Sequence, residues 1–165
     1  MTTFSILDVE IQEIEGGKTL FRDSLTTFPI AMGILDPYTL ESSWILDTAD
    51  RVLSHFQGAD VRVAFVVAGS DPDGAARFLG PLSDRILTFV DKNKKLVKEL
   101  SIKSLPSFAV VRQDGSVLGL AEGWDPNEWR DLAGSLAEMT SWSRPEIPSG
   151  DDPAAYKGTS ARGTV

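Results

Sequence analysis

Along this chain, apolar residues either gather in short unbroken runs or recur every third to fourth position. "FSILDVEIQEI" (4–14) alternates imperfectly and stops at Gly16-Gly17. With "KTLFRDSL" after it, it predicts an amino-terminal strand pair. "FPIAMGILD" (28–36) is nearly all apolar and closes at Asp36-Pro37, which suits a strand buried on both faces. In "LESSWILDTADRVLSHF" (40–56), Trp44, Ile45, Ala49, Val52, Leu53 and Phe56 lie at helical spacing. Thr39 or Ser42 can cap that helix, Glu41 suits its positive end, and Gly58 stops it. "VRVAFVVAG" (61–69) is a second buried strand. "SDPDG" (70–74) reads as a turn or helix start, followed by a short helix broken near Gly80-Pro81.

"RILTFVD" (85–91) is a strand, and "KNKKLVKELSI" (92–102) a basic amphipathic helix with Leu96, Val97 and Leu100 inward. "SFAVVRQDGSVLGLAEG" folds back at Gln113-Asp114-Gly115, a strong hairpin signal. "DPNEWRDLAGSLAEMTSW" (125–142) opens with Asp125 as cap, Pro126 at the first helical position and Glu128 three residues after the cap. Trp129, Leu132, Leu136 and Met139 form its inward stripe. Strands alternating with helices imply an α/β fold, a central mixed sheet with helices on both faces. From Ser143 the periodicity ends. Residues 1–142 form one domain in this reading and 143–165 a flexible tail.

Composition changes the picture in two ways. The 165 residues carry a net charge of −8, which repels phosphate backbones and anionic membranes alike, so neither nucleic acid nor a membrane is an expected partner. There is no cysteine. Thiolate nucleophiles, disulfides, iron–sulfur clusters and cysteine-ligated zinc are all excluded. The first residues lack a basic stretch followed by an apolar run, so no secretory signal is expected and the cytoplasm is the default.

The stretch "VKELSIKSLPSFAVVRQDGSVLGLAEG" (97–123), taken with the element order, resembles the thioredoxin-like superfamily, in particular its TlpA/ResA-type and peroxiredoxin-related branch, over roughly residues 4–142. The amino-terminal strands would be that branch's extension and "DGAARFLGPLSDRILTFVD" (73–91) its insertion. The resemblance places Pro106 on the cis-proline, with Leu105 and Ser107 beside it, where the family's backbone edge grips substrate next to a dithiol. It places Thr39, Leu40, Glu41 and Ser42 on the CxxC motif, so two hydroxyls stand where two thiols would. A hydroxyl offers no reversible dithiol couple and no nucleophile without a base, and His55, the single histidine, lies over three helical turns from Ser42.

The resulting expectation is a redox-inactive thioredoxin-like protein with no catalytic residue, cofactor or metal. It would bind a protein partner as an accessory, assembly or chaperone-like subunit of a larger complex. Tyr38, Trp44, Leu105, Pro106 and Ser107 line the candidate groove, Trp124 approaches it, and the tail is able to order on contact. For Trp44 and Trp129, core packing is the plainer role. The alternative is a cysteine-independent enzyme with a polar site around Asp36, Tyr38 and Ser42; Glu41 and Asp47 are further carboxylates near it. The lysines of "DKNKKLVK" read as a solvated helix start. Asp71 and Asp73 lack the other positions of a calcium loop and read as a turn.

Overall fold

The computed structural model describes residues 5–161. Among the described residues nine strands and six α-helices follow one another. The strands are β1 (Glu10–Glu13), β2 (Lys18–Leu20), β3 (Ile30–Leu35), β4 (Arg62–Ala68), β5 (Leu87–Asp91), β6 (Ser104–Leu105), β7 (Ser107–Val111), β8 (Val117–Glu122) and β9 (Thr159–Ser160). The helices are α1 (Leu40–Trp44), α2 (Leu46–His55), α3 (Pro72–Leu79), α4 (Leu82–Arg85), α5 (Lys95–Glu99) and α6 (Pro126–Thr140). Seven strands form one mixed sheet in the order β2-β1-β5-β4-β3-β7-β8, while β6 pairs with β9 alone.

The three apolar runs occupy adjacent places at the middle of the sheet. β3 pairs parallel with β4 and antiparallel with β7, and every residue of β3 and β7 is buried. Alternation sends their side chains to opposite faces. Ala31, Leu35, Phe65, Val67, Phe108 and Val110 pack on one side, beneath α2, α3 and α6. Ile30, Met32, Ile34, Val66, Ala109 and Val111 pack on the other, beneath α5 and the two 3-10 turns Ser5–Asp8 and Phe21–Leu25. Helices thus cover both faces, as the pattern predicted. The amino-terminal segment differs from its predicted strand at its start: residues 5–8 form a 3-10 turn and the strand begins at Glu10.

Caps decide where several helices begin and end. The Asp125 carboxylate accepts the Asn127 and Glu128 N–H groups, and Pro126 sits at the first turn of α6. Asp71 accepts the Gly74 N–H in the same way at α3. The helix predicted over 92–102 is shorter. Lys94 adopts a left-handed conformation before α5, and the buried Asp91 carboxylate reaches across to the Val97 N–H, 3.0 Å away. At the other end Ser101 turns left-handed, so Ile102 N–H donates to Val97 O and Ser101 N–H to Lys98 O. This double bond ends a helix with a reversed turn.

Two predicted core positions are corrected. The single helix over 40–56 is two, broken at Ile45, which takes the buried position, so Trp44 turns outward and is 52% exposed. In α6 the buried face is centred on Trp129, Ala133, Leu136 and Ala137, and Met139 falls on its flank, 40% exposed.

The segment expected as a flexible tail is laid along the domain as far as Ala161; residues 162–165 lie outside the described residues. It turns at Ser141, buries Pro145 and Ile147, and passes across α2 to the far end of the sheet. Low apolar content hid this path, because most of its contacts are backbone and polar ones rather than a hydrophobic stripe. No helix among the described residues is long and apolar enough to cross a membrane.

Candidate functional site

The site forms where β3 ends. Ile34 pairs with Ser107, so the chain leaving β3 at Leu35 and Asp36 lies beside the Leu105-Pro106-Ser107 loop. The Leu105-Pro106 peptide is cis. The sequence-predicted half-sites, the start of α1 and the proline loop, are therefore brought together.

Asp36, Thr39 and Ser42 of the first half-site are already engaged. Thr39 is the cap of α1, its hydroxyl accepting the Ser42 N–H. Ser42 is fully buried, and its Oγ accepts the Asp36 N–H at 2.9 Å. Asp36 is buried in turn, with its carboxylate accepting the Tyr38 N–H at 2.9 Å. A closed Asx-type turn results, in which hydroxyl and carboxylate hold backbone rather than face a substrate. Replacing Ser42 with alanine should leave a buried N–H unpaired. The expected loss is about 1–3 kcal/mol in the free energy of urea unfolding, against a much smaller loss for exposed Ser43→Ala.

The second half-site is held from β8 and from the tail. The Glu122 carboxylate accepts the N–H groups of Lys103 and Ser104, fixing the chain as it enters β6. Ser107 Oγ donates to Ser104 O, and Gly123 N–H donates to Pro106 O at 2.7 Å. Leu105 and Ser107 are fully buried. Thr159 and Ser160 of β9 then pair antiparallel with Leu105 and Ser104, and Ala161 N–H donates to Lys103 O. The edge beside the cis-proline is thus occupied by the chain's own carboxyl-terminal strip.

Tyr156 joins the two halves. Its backbone exchanges a pair of hydrogen bonds with Trp124, its hydroxyl donates to Glu41 O, and its ring meets Trp44 edge-on at 5.5 Å. Burial pushes the Tyr156 hydroxyl far above the usual tyrosine range, and the Glu41 charge adds to it. Further back, Asp152 clasps α2: it takes a 2.6 Å ion pair from Arg51, a 2.8 Å bond from Thr48 and the Ser149 N–H. Burial raises the Asp152 pKa, but the Ser149, Thr48 and Arg51 donors outweigh it, and the carboxyl titrates below its ordinary value. Tyr156, Asp152 and Arg51 are the site residues that sequence reasoning missed. The one available signal was an aromatic residue standing alone in a polar, proline-interrupted segment.

Trp124 is fully buried, its ring edge-on to Trp129. His55 is remote from Ser42 and bonds Ser143 instead. Among the described residues no group of three or more acidic or histidine side chains is placed to hold a metal. What faces outward at the start of α1 is apolar: Tyr38, Leu40 and Trp44 are 77%, 68% and 52% exposed.

No family model matches the chain and no curated protein matches it. Solved structures do. MTB DsbF, described in mixed oxidized and reduced forms, superposes with a TM-score of 0.66 at 14% identity, covering 82% of this chain and 99% of that one. A putative thiol:disulfide interchange protein DsbE from Chlorobium tepidum gives 0.64 at 13% identity, covering 82% and 93%. The bacterioferritin comigratory protein of Xanthomonas campestris, studied for alkyl peroxide reduction, gives 0.64 at 12% identity, covering 83% and 93%. The fold is thioredoxin-like, and the chain has no cysteine to place at the CxxC position.

Proposed function

We propose that this sulfur-free thioredoxin-like chain binds another protein through the surface around Tyr38, Leu40 and Trp44, as an accessory, assembly or chaperone-like subunit of a larger complex. One observation carries the reading. Around the position of the missing dithiol the Thr39 and Ser42 hydroxyls bond backbone groups, and the large side chains beside them are the most exposed hydrophobics described. The others, from Leu20 to Trp142, are 36–42% exposed, against 52–77% here. Apolar area clustered at one spot and rimmed by polar residues marks an interaction surface, whereas scattered single residues do not. Aromatic side chains are also the usual anchors of protein interfaces.

The alternative enzyme built on Asp36, Tyr38 and Ser42 finds its parts engaged. Ser42 Oγ holds the Asp36 N–H and the Asp36 carboxylate holds the Tyr38 N–H. No observation favours it further.

The test compares the wild-type chain with Tyr38→Ser/Leu40→Ser. Both residues are exposed, so unfolding free energy should change by less than about 0.5 kcal/mol per site. Complexes isolated from native extract should contain one stoichiometric protein with the wild-type chain, and at least roughly tenfold less of it with the variant. A wild-type chain that stays monomeric, or a complex indifferent to both substitutions, refutes the reading.

A further inference from the structure

The pairing of β6 with β9 is small, local and oddly built. β6 has two residues, and among the described residues β9 is its one strand partner. Antiparallel rungs carry no side-chain specificity of their own; any extended backbone of the right shape satisfies them. What selects the occupant is the close approach between Gly123 and Gly158. Gly123 has φ +68°, and a Cβ built there would lie 2.3 Å from Lys157 O. Gly158 has φ +84°, and its Cβ would lie 2.5 Å from Leu105 O. Two glycines facing each other let the strip settle flush against the loop. Around them bonds to the strip's main chain run on: Tyr156 with the Trp124 backbone, Ala161 N–H with Lys103 O, and the Lys94 side chain, whose Nζ donates to Ala161 O at 2.9 Å. Trp124 Nε1 donates to Pro153 O at 2.8 Å.

The strip is therefore bound as a peptide ligand is bound, by its main chain along a strand edge, one small residue at the closest point and one aromatic anchor. It differs from the central strands β3, β4 and β7, whose side chains are buried on both faces. Thr159 and Ser160 contribute little apolar area, so this end of the chain is the cheaper part of the fold to release. The Asp152 clasp holds the chain just before it and would remain when the strip lifts.

We infer that residues 153–161 are a tethered ligand of a peptide-binding edge, and that the partner presents an extended segment with a glycine or other small residue at the Gly158 position, which exchanges with them. This deepens the proposed protein-binding role and rests on it for the identity of the partner, but not for the existence of the edge. The tethered strip masks the edge in the resting chain. Binding there is an exchange of one strand for another, with no new fold element required.

The experiment uses the full chain carrying Gly158→Val, with Tyr156→Ala as a second route to the same release. The probe is a fluorescein-labelled peptide of the sequence of residues 153–161. Hydrogen exchange at Tyr156 and Ala161 should accelerate while β3, β4 and β7 stay protected. The labelled peptide should bind each released variant at least roughly tenfold more tightly than wild type. The same peptide with valine at the Gly158 position should not bind. Release without peptide binding, peptide binding equal in wild type and variants, or a strip that neither substitution releases would each overturn the inference. The partner arm is separate. Peptide binding with no protein partner leaves the edge standing and removes the proposed function. A partner captured equally by wild type and released variants leaves that function standing and removes the exchange.

Discussion

Trp124→Ala is expected to lower the free energy of unfolding by about 3–5 kcal/mol, the range for deleting a fully buried large aromatic. The indole is completely buried and meets Trp129 edge-on at 5.1 Å, while Trp129 in turn lies 5.1 Å from Phe108 of β7. Truncation leaves a cavity beside Trp129. It also removes the bond to Pro153 O, so the loss is not confined to packing. Urea unfolding followed by tryptophan fluorescence measures the first effect; faster exchange at Tyr156 and Ala161 measures the second. Trp124→Phe restores most of the volume but not the N–H donor. It should recover more than half of the stability while leaving the faster exchange. A stability loss below 1 kcal/mol for the alanine variant would contradict this account of the core.

The second large effect is expected at Asp152. Its carboxylate is fixed by three donors, and its side chain is 4% exposed. Arg51 is 35% exposed, so part of the ion pair is screened by solvent. The hydrogen bonds to charge remain, and Asp152→Ala should cost about 2–3 kcal/mol. The pH dependence has a definite sign. The folded pKa lies below 3.8, so the unfolded chain binds the proton first as pH falls. The stabilisation is fully present above 3.8 and is lost as pH falls through the lower, folded value. The stability gap between wild type and Asp152→Ala should therefore be constant from pH 7 to about 5 and shrink below 3.8. Urea midpoints measured across that range give the gap directly. A gap that grows on acidification would reverse the assignment.

How much of this was legible beforehand depended on the range of the interactions concerned. β3, β4 and β7 were readable because burial on both faces writes itself as an unbroken apolar run. α6 was readable because Asp125, Pro126 and Glu128 mark its start within four residues. The break at Ile45 was not, since the periodicity of 40–56 is the same for one bent helix or two. The tail was least legible. Arg51 and Asp152 are 101 positions apart, Tyr156 and Glu41 are 115 apart, and neither pair leaves a periodic trace. Of the candidate site, Thr39, Ser42 and Pro106 could be placed in advance, because local turn chemistry and the family pattern specify them. What fills the space between them could not.

The position of the Asp152 clasp sets how hard the edge is to invade. Only residues 153–158 separate it from β9. A strand on so short a leash reaches a local concentration on the order of millimolar at its own docking site. A rival segment of equal intrinsic affinity, free at micromolar levels, would occupy the edge only about one time in a thousand. Selectivity then need not come from a deep pocket: weak, abundant sequences are turned away by competition alone, and a rival gains entry only by exceeding that threshold or by arriving on a partner already held at Tyr38 and Leu40.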